Sequence, residues 1–342
     1  MTETKHTSPK KRWIIAPLIP NDIKHALRDY PPLLRQLLFN RGITTAEVAH
    51  AYLGTESPTS TDPFLMLGMR EAVAVIEQAL QADENITIYG DYDTDGVTAS
   101  SLLFEFFNQL RHEPRVYIPN RFDEGYGLNL DAVELLAAEG TQLLITVDCG
   151  IRSLQEVQLA KELGMRVIVT DHHQPGDQLP QADAVINPHQ PADPYPYKEL
   201  AGVGLAYKLA EAWLQTHPDP EVDLNQWLDL VAIGTVVDVA PLTGENRSLV
   251  KRGLERMRQP KRQGLFSLAQ VASINPANFN AGHLGFVIGP RLNAAGRIES
   301  ALDAFRLLTS RDIFEAGWLA QQLDSLNSSR KEITNKIVES CM

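Results

Sequence analysis

Three short stretches of the 342-residue chain concentrate side chains able to bind a metal: Asp91, Asp93 and Asp95 within Gly90–Gly96, Asp148 before Gly150, and the triplet Asp171-His172-His173. Carboxylate oxygens with one or two imidazoles suit hard divalent cations such as Mn²⁺ or Mg²⁺, and no thiolate-rich set points to another metal. Carboxylates packed together repel one another unless a cation neutralises them. Taken singly, Asp93, Asp95 or Asp148 reads as an Asx-turn residue, and either histidine as a polar loop residue. Their joint placement at three strand ends turns the reading to a metal site. Cys149 reads as a small packing residue rather than a nucleophile.

The elements that must position these groups alternate from residue 85 onward. Strands are expected at 85–89, 115–118, 143–147, 166–170 and 184–186, with helices at 97–110, 130–139 and from a Ser153/Glu156 capping box to Gly164. The strand at 143–147 is almost wholly apolar, as expected when helices cover both sheet faces. The fold class is therefore α/β, with an open, mostly parallel sheet whose ligands gather at the carboxyl ends of the strands. Before the sheet, 33–39 reads as an amphipathic helical set, Thr44–Val48 as a capped helix start, and 57–64 as a Ser/Thr/Pro-rich boundary. Past residue 200 the pattern is mainly helical, including a tail from 313 to 338.

Composition excludes several classes. Hydrophobic residues are 44% and charged residues 22%, which is neither collagen-like nor wholly disordered. Two cysteines, Cys149 and Cys341, cannot build a disulfide framework, so a reducing, cytoplasmic setting is expected. Pro17 and Pro20 interrupt the one apolar stretch near the start, so no signal peptide is expected. The longest stretch free of Asp, Glu, Lys and Arg, 263–290, carries several Asn and a His, so no membrane span is expected. There is no Walker-type phosphate loop and no persuasive Ser-His-Asp or Cys-His set.

The acidic run, Val147-Asp148-Cys149-Gly150 and Asp171-His172-His173, in this order and spacing, resemble the DHH phosphoesterase superfamily and, within it, the RecJ-like single-stranded-DNA-specific exonucleases. The likeness extends through Leu38–Thr44, Pro119–Arg121, Glu124–Leu128, Ile186–Pro188, Gly202–Gly204, Ala232–Asp238 and Gly289–Arg297, and so covers about residues 13 to 335. The resemblance implies that Asp93, Asp95, Asp148, His172 and Asp238 hold two metals, with Asp148 bridging. It places His173 beside the metals, in contact with the scissile phosphate and assisting as an acid, and Asp171 in support of the site, orienting His172 or a metal-bound water. Arg291, Asn293 and Arg297, read as a glycine-rich loop, become candidates for gripping the DNA backbone, with Arg121 for backbone contact and Tyr126 for base stacking. The chemistry implied is two-metal hydrolysis of a phosphodiester, in which the metals activate water and stabilise the leaving oxygen.

Three functions follow for comparison: a 5′-to-3′ exonuclease on single-stranded DNA in repair and recombination, a phosphodiesterase or pyrophosphatase acting on a small phosphate ester or cyclic dinucleotide, and a non-catalytic replication scaffold. The Leu38–Thr44 segment and the Arg291–Arg297 stretch favour DNA, and the presence of every expected ligand disfavours the scaffold. Partners implied are single-stranded DNA, with a single-strand-binding protein or helicase as further candidates. The domains expected are a helical N-terminal segment (1–70), a catalytic domain (71–310) and a connecting helix (311–342) toward a second domain, so metal binding is expected to persist where processive digestion is impaired. The net charge of −12 argues at first against nucleic acid. Its distribution does not: residues 83–246 hold 8 basic and 27 acidic side chains, whereas 1–41 hold 8 against 3 and 247–262 hold 7 against 1.

Overall fold

A computed structural model describes residues 12–54, 61–121, 124–125, 127–298 and 300–341. The chain divides into two compact units, one reaching Ser57 and one starting at Pro58. In the first, helices α1 (Asn21–Ala26), α2 (Pro32–Phe39) and α3 (Ala46–Leu53) close on Ile19, Leu27, Leu38, Ile43 and Ala49. Thr45 caps α3 by accepting the Val48 N–H, as the sequence led one to expect.

The second unit runs α4 (Met69–Gln81), β1 (Ile86–Gly90), α5 (Thr94–Gln109), β2 (Arg115–Tyr117), α6 (Leu130–Ala138), β3 (Leu143–Val147), α7 (Leu154–Glu162), β4 (Arg166–Thr170) and β5 (Ala184–Ile186). It continues with α8 (Gly202–Thr216), α9 (Leu228–Val237), α10 (Gly244–Met257), α11 (Gln263–Val271), α12 (Ala281–His283), α13 (Gly289–Ile298), α14 (Leu302–Thr309) and α15 (Ile313–Cys341). The sheet order is β2-β1-β3-β4-β5 and every pairing is parallel.

Alternate residues along the strands face opposite layers. Ile86, Ile88, Ile145, Val147 and Ile168 join one core with α4, α5, α8 and α9. Tyr89, Leu144, Val167 and Val169 join the other with α6 and α7. Helices thus cover both faces, which is why these strands read as continuous apolar runs. The chain crosses from one edge direction to the other between β1 and β3. In this strand order, that is where a crevice opens beyond the carboxyl ends. Among the described residues no helix is long and apolar enough to cross a membrane.

Two local expectations are corrected. Ser153 precedes α7 but makes no cap hydrogen bond. The turn set by Gly150, at φ +105°, leaves Ser153 at ψ 66° rather than in the extended conformation a capping hydroxyl needs. The stretch from Gly289 to Arg297, expected as a phosphate-gripping loop, is helix α13. Pro290 lacks the N–H that a continuous α-helix would use, and the wide π-helical turn at Leu284–Ile288 just before it absorbs the mismatch.

Candidate metal centre

β1, β3 and β4 end in register, Gly90 beside Val147 and Val147 beside Thr170, and each is followed at once by an aspartate: Asp91, Asp148 and Asp171. The three carboxylates therefore stand in one row along the carboxyl edge of the sheet, each at most 2% exposed. Asp148 takes this place in the left-handed region, at φ +61°, a conformation Asp tolerates better than most residues.

The acidic run after β1 is the start of α5, three residues earlier than the periodicity implied. Asp93 is its N-cap, its carboxylate accepting from the Asp95 and Gly96 N–H groups at 2.8 and 3.2 Å. Asp95 sits in the first turn and meets the start of α8, whose Gly202 and Val203 N–H groups donate to its two oxygens at 2.6 and 2.9 Å. Two helix N-termini thus face neighbouring carboxylates, that of α5 facing Asp93 and that of α8 facing Asp95, whose negative charge the helix dipoles favour. Asp238 arrives from the far end of α9, as its C-cap.

His172 gathers these groups. Its Nε2 lies 3.0 Å from Asp148, 3.7 Å from Asp95 and 3.9 Å from Asp238. Ligand atoms of Asp95, His172 and Asp238 fall within 4.8 Å of one another, as do those of Asp148, His172 and His173, and those of Asp91, Asp93 and Asp148. Nε2 of His172, Oδ1 of Asp148 and Oδ1 of Asp91 are buried and make no hydrogen bond, the first two facing each other at 3.0 Å as two acceptors would across a cation. Such atoms are costly to leave unsatisfied, and they converge where oxygen and imidazole donors would share a cation. The residues therefore fit a pair of hard divalent ions.

The electrostatics agree. Burial, then Asp93, pushes Asp91 up to about 7. Burial and Asp93 likewise push Asp238 up to about 6. Asp95 rises through burial, then Asp238 and Asp93, and Asp148 through burial, then Asp95 and Asp93. Burial beside His173 holds His172 down at about 4, so its imidazole is a neutral lone-pair donor at neutral pH. Without a cation this cluster cannot be fully ionised.

Asp171 plays a different part from the one expected. It accepts from Nδ1 of His173 at 2.7 Å and from the backbone N–H groups of His173 and Ile151 at 3.0 and 2.9 Å, so it orients His173 rather than His172. The hydrogen bond to Asp171 raises His173 against the effect of burial. Burial acts to raise Asp171, but the hydrogen bond and charge of His173 outweigh it and hold the carboxyl below its usual range. A cleft of about 540 Å³ opens beside this pair, lined by Gly150, Ile151 and Arg152 among others. Cys149 is fully buried in the core under α6 and α7, as its packing role required.

The residues expected to meet DNA divide. Arg121 and Arg297 line one cleft of about 390 Å³ together with Arg330 of α15, which the sequence had not suggested. Arg121 lies over the ring of Tyr92, at 5.1 Å, between Asp91 and Asp93. Arg291 instead pairs with Asp324 of α15 at 2.7 Å and donates to the Val287 carbonyl. Asn293 accepts from the backbone N–H and the hydroxyl of Thr94, both at 2.9 Å. Tyr126 lies outside the described residues. Asp91 belongs to the acidic run but lies outside the ligand set that the resemblance implies. Its place directly after β1, matching Asp148 after β3, was the available signal.

The profile of the DHH family, N-terminal domain, matches residues 85–235. The chain is 46% identical over 308 residues to the single-stranded-DNA-specific exonuclease RecJ of Bacillus subtilis, covering 90% of this chain and 38% of that protein. It is 40% identical over 316 residues to the RecJ exonuclease of Escherichia coli, covering 89% and 54%. It thus spans between about two-fifths and just over half the length of these relatives. The crystal structure of an exonuclease RecJ bound to manganese superposes with a TM-score of 0.74 at 37% identity, over 80% of this chain and 69% of that one. RecJ of Thermus thermophilus in complex with Mn²⁺ gives 0.80 at 32%, over 96% and 47%. With its five-stranded parallel sheet and this row of strand-end aspartates, the chain belongs to the DHH family, in its RecJ branch.

Proposed function

We propose that this chain carries the catalytic part of a metal-dependent phosphodiesterase, a 5′-to-3′ exonuclease on single-stranded DNA serving repair and recombination in the cytoplasm. The observation that carries the reading is the row of Asp91, Asp148 and Asp171 with His172 set against Asp148, leaving three buried ligand atoms that make no hydrogen bond. Asp93, Asp95, Asp148, His172 and Asp238 would hold two Mn²⁺ or Mg²⁺ ions, with Asp91 joining on the side of Asp93 and Asp148. When bound, the ions supply water activation and stabilisation of the extra charge on phosphorus. Asp171 fixes the tautomer of His173 by accepting its Nδ1–H, which leaves proton exchange with a phosphate or leaving oxygen to Nε2. Arg121, Arg297 and Arg330 would grip backbone phosphate beside the metal loop, with Tyr126 as a stacking partner. Within the chain, 71–310 would form the catalytic domain, 1–70 a helical N-terminal segment and 311–342 a connecting helix. A single-strand-binding protein or helicase would be a further partner.

The test is a gel assay with end-labelled single strands. Mn²⁺-dependent release of nucleotides from the 5′ end, stopped by EDTA and reduced at least about a hundredfold by Asp148→Asn, is the expected result. Asparagine tolerates the backbone conformation of Asp148, so the variant removes charge rather than fold. Intact DNA alongside cleavage of a cyclic dinucleotide would move the substrate to small phosphate esters.

A further inference from the structure

Asn293 lies four residues before Arg297, which lines the arginine cleft, yet its own side chain is turned to the metal loop. Its single carbonyl oxygen receives both donors of Thr94, the backbone N–H and the hydroxyl, each at 2.9 Å. Thr94 lies between Asp93 and Asp95 and is the first residue of α5, where backbone N–H groups have no partner within the helix. Asp93 takes the next two of these groups. Asn293 takes the one Asp93 does not, from 199 residues away. One turn further along α13, Gly296 closes on the carbonyl of Tyr92: a Cβ there would stand 2.6 Å from that oxygen. Asn293 and Gly296 therefore bracket residues 92–94. Arg291, two residues before Asn293, anchors the same helix to Asp324 of α15.

We infer that Asn293 is a positioning residue, holding the Asp93–Asp95 loop in ligand geometry through Thr94, and that it acts on the metal rather than on DNA. The inference rests on the metal centre proposed above. Only an acceptor can serve at this position, since both Thr94 groups donate to it. An aspartate would preserve the contact and an alanine would abolish it.

The test compares Mn²⁺ affinity by electron paramagnetic resonance in the wild type, Asn293→Ala, Asn293→Asp and Thr94→Val. Separately, it measures binding of a 5′-phosphorylated single strand in EDTA. Asn293→Ala is expected to weaken Mn²⁺ binding about 10- to 100-fold, the range for lost outer contacts to metal ligands. DNA affinity in EDTA and KM for DNA stay unchanged, and kcat recovers at saturating Mn²⁺. Asn293→Asp is expected to bind Mn²⁺ at least as tightly as the wild type, and Thr94→Val, which loses one of the two bonds, to fall between. Should Asn293→Ala fail to fold, the Asp and Val variants decide. Unchanged Mn²⁺ affinity with weakened DNA binding would overturn the inference in favour of a direct DNA contact. An Asp variant as defective as the Ala variant would also overturn it, because shape rather than an acceptor would then matter. A wild type that binds no Mn²⁺ would remove the metal centre itself.

Discussion

Asp171 and His173 form the clearest division of labour at the scale of single residues. The carboxylate accepts three hydrogen bonds and is nearly inaccessible, so it is fixed, while the imidazole it holds remains partly exposed beside the cleft. His173→Ala removes the proton-exchanging group and is expected to lower kcat about 10²- to 10⁴-fold while Mn²⁺ affinity changes little. Asp171→Asn keeps the shape but offers Nδ1 an amide, and is expected to lower kcat about 10- to 100-fold. A matched loss of Mn²⁺ affinity in both variants would show that His173 is a ligand instead. Much of this constellation was legible because parallel sheets put chemistry where strands stop: Asp93, Asp95, Asp148 and His172 follow apolar runs within five residues. Asp238 was legible only by resemblance, since it reaches the site as the last cap of a helix some ninety residues beyond Asp148. Arg330 carried no local signal, because nothing in a long helical pattern says which turn lies against a distant arginine pair.

At the scale of elements, three helices converge on the carboxyl edge and do so at close range. α5 packs against both α8 and α9. The closeness depends on glycine: a Cβ at Gly202 would stand 2.7 Å from Cβ of Asp148, and one at Gly234 would stand 2.6 Å from Oδ1 of Asp95. Gly202 also donates to Asp95, so a methyl group there would disturb two ligands at once. Gly202→Ala is expected to cost about 1–3 kcal/mol of stability through overpacking and to weaken Mn²⁺ binding at least about tenfold. Gly317→Ala, in α15 with no neighbour within 4 Å, is the control, expected to be neutral or to stabilise by up to about 1 kcal/mol. Paired thermal melts and metal titrations check both, and equal metal affinity in the two variants would contradict the crowding argument. The sheet itself was readable from its apolar runs, whereas α13 was not: glycines, proline and arginines read locally as a loop, and burial of Leu292, Ala294 and Ala295 overrode that preference.

Across the whole molecule, the uneven charge becomes a statement about stability. The 83–246 segment, at −19 by the counts above, contains the buried carboxylates that burial pushes upward. In the metal-free protein a carboxyl whose folded-state value lies above its ordinary 3.8 favours folding only while protonated. That contribution is fully present below about 3.8 and is lost as pH rises through the folded value, about 6 for Asp238 and about 7 for Asp91. Asp171, held low, acts in the opposite sense below the ordinary carboxyl range, and His172, held down at about 4, opposes the trend within the window, but four raised carboxyls outweigh the one imidazole. The metal-free melting temperature should therefore fall between about pH 4 and pH 7. Divalent metal reverses the trend, because it binds the ionised ligands and its affinity grows as they lose protons. At a hundredfold excess over Kd one bound ion adds about 2.7 kcal/mol, roughly 4 °C for a chain of this size. Melting curves in EDTA and in Mn²⁺ should thus diverge as pH rises, with the separation larger at about pH 8 than at about pH 5. Parallel curves would mean that the acidic cluster is not where the metal binds. The same neutralisation bears on the proposed substrate: two divalent ions would offset most of the ligand charge, and the arginines of the adjoining cleft would then set the approach of a DNA backbone.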